Sequence, residues 1–253
     1  MTRPKPSVKN VLDTFVLMER FRFEIHHNNR FGFTFGKIQL YHKFLLVVLE
    51  RYNSEAREAV GVEAQRWRIL KQTIDAEPSG SREATLEEQV VQEESNAVAT
   101  KLHLEIESFY VFSKIVLDHI ARAIHVYFGQ AHSCSLRSHD QFLKCLEKYM
   151  TIKQLQIPDG FRELGEFLKA SISDYRDKLI EHEQDPDRFP GICHSQGMQP
   201  KIFSQRIEGT LETFKSTESL EALLARIEEY ILLFLTLVKQ NADKTTLKLS
   251  ASL

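Results

Sequence analysis

The stretch Leu102 to Phe128, LHLEIESFYVFSKIVLDHIARAIHVYF, constrains the fold more than any other part of the chain, because it is apolar around most of its circumference. At about 100° per residue, His103, Glu107, Lys114, Asp118 and His125 fall on one narrow line along an otherwise greasy rod. A helix apolar nearly all round belongs inside a bundle. Its polar line then has to meet partners, a cleft or another subunit, since an unpaired buried polar group costs about 1–3 kcal/mol.

The rest of the chain suits such a bundle. Of 253 residues, 42% are hydrophobic, enough for a real core, while Gly (10) and Pro (7) are scarce. Long segments dominated by Leu, Glu, Lys, Arg and Gln favour helix over sheet, which predicts an all-α fold. A formal net charge of −2 gives no global attraction to nucleic acid or membrane, so any polyanion site must be a local basic patch. Three widely spaced cysteines, Cys134, Cys145 and Cys193, signal neither a disulfide scaffold nor a zinc finger and fit a reducing cytoplasm. The N-terminal MTRPKPSVKN is not followed by the apolar core of a secretory signal, and no run is long and apolar enough to span a bilayer.

Taken in order, the chain predicts an amphipathic helix from Val8 to about Asn28, with Ser7 as its N-cap. A phenylalanine-rich loop follows from Asn28 to Gly36, then a helix from Lys37 to Ile74 with a potential break at Gly61. The outer face of that helix carries Arg51, Arg57, Arg66, Arg68 and Lys71, which reads as a solvated face or as a phosphate-tracking patch. EPSGSR, Glu77 to Arg82, is the strongest break in the chain. It divides an N-terminal helical extension, 1–80, from a helical bundle, 81–240, with a frayed tail at 241–253. Within the bundle, Ser138 is placed to cap a helix from His139 to Lys153, and Pro158 stands near the first turn of the next, the helix that the polar line on Leu102 to Phe128 is expected to face. A small hairpin is anticipated between 188 and 203, and the last helix opens at Ser216 or Thr217. His132, Cys134 and His139 are close in sequence but form a weak metal signal, and no cofactor or metal is expected.

The residues that carry chemistry are Arg176, Asp177 and His182 in RDKLIEH. Arginine offers a planar cationic fork for phosphate, and histidine moves a proton near neutral pH. Together they suit cleavage of RNA, in which the substrate's own 2′-hydroxyl attacks, His182 acts as acid or base, and Arg176 steadies the phosphorane. The plainer reading pairs Arg176 with a carboxylate and makes His182 a helix C-terminal cap. In an ideal helix the two side chains point about 120° apart, so catalysis requires the helix to end or distort there, or the arginine to curl round.

RDKLIEH resembles the R-x4-6-H motif of the HEPN superfamily of helical-bundle proteins. The order of elements is similar too: a long helix, the motif late in a subsequent helix, and another helix behind it. The resemblance covers roughly Ser95 to Lys239. It implies a metal-independent endoribonuclease of a defence, toxin or stress-response system, acting as a homodimer whose subunits share one cleft. Arg176 and His182 match the motif, Asp177 is the polar orienter, and Asp118 or Glu107 would be the supporting residue from the long helix. RNA is then the substrate, and an antitoxin or regulatory protein a further partner. The superfamily also holds inactive RNA-binding or dimerisation modules, and an unrelated helical scaffold is a third reading.

Overall fold

The computed structural model describes residues 8–9, 11–13, 32–76, 83–173, 192–193, 201–202 and 220–244, and among these the chain is an all-α helical bundle. Its helices are α1 (Gly32–Ala76), α2 (Leu86–Phe128), α3 (His139–Lys144), α4 (Leu146–Lys153), α5 (Phe161–Leu168) and α6 (Leu220–Gln240). Ile192–Cys193 (β1) and Lys201–Ile202 (β2) pair antiparallel, with Ile192 opposite Ile202. Residues 8–9 and 11–13 are helical, and Leu12 is fully buried. No helix among the described residues is long and apolar enough to cross a membrane.

The chain divides into two compact units: 1–45, 110–182 and 220–253 form the first, 46–109 and 183–219 the second. In the first unit an aromatic core joins α1, α2 and α6. Phe35 meets Tyr127 edge-on at 5.3 Å and lies 5.5 Å from Phe234. Phe161 stacks on Tyr230 at 4.8 Å, and Phe142 approaches Phe161 from α3. The start of α1 is thus built into the same core as the last helix, and buried His42 binds Glu228 at 2.9 Å. In the second unit α1 and α2 run antiparallel. Arg51 meets Glu105 (2.5 Å), Lys101 meets Glu55 (3.4 Å), and Ser95 donates to Glu63 (2.5 Å). Ala56 and Ala59 on α1 and Val91, Val98 and Leu102 on α2 are buried there. On the basic face Arg51 is engaged by Glu105 of α2 and Arg66 by Glu63 of its own helix.

Helix ends explain several departures from the sequence pattern. The segment expected to remain a loop up to Gly36 is helical from Gly32, and Phe35 is fully buried. α1 also passes through Gly61 without a break, since one glycine costs about 1 kcal/mol in a 45-residue helix. α2 is continuous over 43 residues and begins in a reciprocal cap: Glu88 N–H donates to Thr85 Oγ1 (3.2 Å), and Thr85 N–H donates to the Glu88 carboxylate (2.8 Å). Its other end is closed by Gly129, φ 76°, whose N–H reaches the His125 carbonyl. Ser138 does cap α3, accepting from Gln141 N–H at 3.3 Å. The helix expected from His139 to Lys153 is instead two, because Cys145 (φ −116°) leaves helical geometry. Nor does Pro158 sit in a first turn: left-handed Gly160 (φ 77°) intervenes and α5 starts at Phe161. α5 runs on into a π-helical turn, Lys169–Ser173. Beyond α6, fully buried Asn241 clasps the α4–α5 connection, accepting from Gln156 N–H and donating to the Gln156 carbonyl.

At Gly165, α5 packs tightly against α3 and α6. A Cβ there would stand 3.0 Å from a Leu143 methyl and 3.2 Å from the Tyr230 hydroxyl. Gly165→Leu should therefore overpack the core and lower stability by about 1–3 kcal/mol, read as a shift in urea midpoint.

Candidate functional site

Besides His42 and Asn241, a cluster of polar groups enters this core where α2, the start of α3 and α6 converge. Lys114 is 5% exposed. Its ammonium lies 3.3 Å from Asp118, one turn further along α2, and 3.1 Å from Asp140 in the first turn of α3. Asp118 also accepts the His139 backbone N–H at 2.8 Å, so a carboxylate on one helix closes the end of another. The His139 ring turns inward, with Nε2 3.0 Å from the Tyr230 hydroxyl and the two rings edge to face. Two buried polar atoms beside this node, Ser113 Oγ and His139 Nδ1, have no hydrogen-bond partner among the described residues.

The electrostatics follow from burial. His139 is pushed down to about 3 from its ordinary value of 6.5, first by desolvation and then by the Lys114 charge, with Asp140 opposing. Its ring is therefore neutral near pH 7. Burial likewise pushes the Tyr230 phenol up, keeping its proton on. Such groups hold a hydrogen bond well and exchange protons with solvent poorly.

The line on α2 thus meets a different partner from the one expected. Its Lys114–Asp118 half faces the start of α3, rather than the helix that the sequence pattern opens at Pro158. In the second unit, His103 and Glu107 pair with each other at 2.7 Å, one turn apart on a half-exposed face. Of the residues expected to form a catalytic site, Arg176, Asp177 and His182 lie outside the described residues. Asp118 belongs to the Lys114 node, and Glu107 to the pair with His103. Sequence reasoning misses Asp140, His139 and Tyr230 as partners of the line. Tyr230 opens the run YILLFLTLV, where an aromatic reads as ordinary core. The retrievable clue is Ser138-His139-Asp140, a cap followed by an acid, two features that place a polar helix start against a buried surface.

Beyond the end of α2, an open cavity of about 420 Å³ is lined by His125, Gln130, Ser133, Cys134, Leu136 and Arg137. Cys134 and Cys145 are free thiols. Burial raises Cys145 to about 11, its contact with Cys134 adding to the effect, so Cys145 is not favoured as a thiolate. His132 is exposed whereas His139 is fully buried, and no group of three metal-ligating side chains occurs among the described residues. No family model, no curated protein and no solved structure matches the chain.

Two measurements probe the node. The pKa of His139 is lowered on folding, so its contribution to stability is complete above about pH 6.5 and is lost as the unfolded chain takes up the proton, at about 1.4 kcal/mol per unit toward pH 3. Urea denaturation of the native chain should therefore weaken more steeply between about pH 7 and pH 5 than that of His139→Gln. Asp118→Ala removes the acceptor of the His139 N–H and one of two carboxylates on Lys114. It should cost about 1–3 kcal/mol in the same assay, and Asp118→Asn, which keeps an acceptor oxygen, should cost less.

Proposed function

We propose that this chain is a HEPN-like protein acting on RNA, a metal-independent endoribonuclease in which Arg176 and His182 of two subunits share one cleft. The observation that carries the reading is RDKLIEH itself: a phosphate-binding fork and a proton-transfer group with five residues between them, downstream of a long buried helix. The all-α bundle and the placement of Asp118 on that helix are compatible with it. In this mechanism the substrate's 2′-hydroxyl loses its proton to a base and attacks the adjacent phosphorus. Arg176 holds the charge of the phosphorane, and the 5′-oxygen leaves with a proton supplied by an acid. His182 serves as one of these two groups, and Asp177 orients the arginine.

The second reading, an inactive HEPN-like module that binds RNA or a partner without cutting, draws on one specific observation. Asp118 is already engaged by Lys114 and by the His139 N–H, which fits a structural carboxylate.

The two readings separate in a cleavage assay on the purified chain. Under the enzymatic reading His182→Ala lowers RNA cleavage by about 100-fold or more while the thermal midpoint barely moves. Arg176→Lys also fails, since a point charge cannot reproduce the fork. Products carry 2′,3′-cyclic phosphate ends, and chelator has no effect. Cleavage that survives in His182→Ala, or that requires a divalent ion, eliminates the mechanism; no cleavage by the native chain selects the binding module.

A further inference from the structure

The first unit carries a partly exposed aromatic face, on which Phe44 is open and Tyr41, Phe112 and His119 are half-buried. Lys37, Tyr41 and Phe44 share one side of α1, at steps of four and three. Phe112, His119 and Arg122 share one side of α2, at steps of seven and three. The rings interlock: Tyr41 lies nearly parallel to His119 at 5.7 Å, Phe44 meets Tyr41 edge-on at 5.5 Å, and Phe112 is 5.3 Å from Phe44 and 5.9 Å from Tyr41. Although the cluster is ordered by these contacts, Phe44 remains 37% exposed and its neighbour Leu40 39%. Phe44 and Leu40 thus leave apolar surface open beside three half-buried rings.

Charge narrows what that surface would accept. Lys37 and Arg122 are exposed and near enough to His119 to hold its protonation down, second only to burial, against the opposing pull of Asp118. A second copy docking by this face about a two-fold axis would bring these cations toward their own equivalents. A single-stranded nucleic acid instead offers flat bases to the rings and phosphates to the cations, the combination on which sequence-tolerant strand binding rests.

We propose that the Tyr41, Phe44, Phe112 and His119 face is a stacking platform for the bases of single-stranded RNA, with Lys37 and Arg122 engaging its phosphates. This rests on the reading that RNA is the substrate, and adds the surface that would hold the strand while a separate site acts on it.

The test is fluorescence anisotropy with a short fluorescein-labelled single-stranded oligoribonucleotide, on a His182→Ala background so that the probe stays intact. Phe44→Ala should weaken binding about tenfold or more. Lys37→Glu with Arg122→Glu should weaken it and flatten its dependence on salt. Circular dichroism verifies that each variant is folded; should Phe44→Ala not fold, Phe44→Leu keeps the bulk and removes the π-face. Equal affinity in the native and substituted faces overturns the platform, as does a polyglutamate peptide that binds as tightly as RNA with the same sensitivity to Phe44, which would assign the face to an acidic protein partner. RNA bound through this face but never cut by the native chain defeats only the nuclease reading. RNA cut by the native chain, with binding indifferent to Phe44, defeats only the platform, and absence of RNA binding defeats both.

Discussion

Lys114 is the charge around which the first unit is assembled. A lysine 5% exposed among the apolar residues of α2 is tolerable only with carboxylates at hand, and two are supplied from different elements: Asp118 from the same helix and Asp140 from α3. That requirement fixes where α3 begins. Once Asp118 also takes the His139 N–H, the first turn of α3 is fastened to α2 by two independent bonds, and the imidazole that follows is carried into the core against Tyr230. Phe161 stacks on that same tyrosine, so the polar node and the aromatic core are one continuous packing arrangement rather than two.

The second unit is held differently. Its ion pairs, Arg51 with Glu105 and Lys101 with Glu55, lie along the flank of two antiparallel helices, where one partner of each is more than half exposed. Such pairs contribute little energy individually but set which turns of the two helices face each other. The affinity between the helices comes from the apolar stripe through Val98, Leu102 and Ile106, with Ala56 and Ala59 opposite allowing close approach. Charge in the first unit therefore decides which elements join, and in the second only the register at which they do so.

How much of this is readable in the sequence depends on the length scale of the signal. Helical periodicity exposes the buried rod at Leu102 to Phe128 and the last helix, because many residues repeat the same pattern. Ser138 is legible as a cap because one hydroxyl and one N–H suffice. Cys145 and Gly160 are not, since the first is an ordinary helical residue by propensity and the second acts only through a positive φ that a neighbouring proline obscures. The polar line is visible along α2, yet its partners are not: Asp140 and Tyr230 are 26 and 116 residues from Lys114 in sequence, and only packing brings the three together. For the candidate site, residue chemistry points to Arg176 and His182, while the aromatic face at Tyr41 and Phe112 draws on two distant helices and has no local motif.

The π-helical turn at Lys169–Ser173 interrupts the phase of α5 from within. A turn of this kind takes in about one residue more than an α-turn, so a wheel drawn through Phe161 and Leu168 drifts by up to about 100° across the turn itself. Angular phase, the quantity on which amphipathic reasoning depends, is therefore not constant between Phe161 and Ser173, and sequence spacing and spatial direction are separate variables within that stretch.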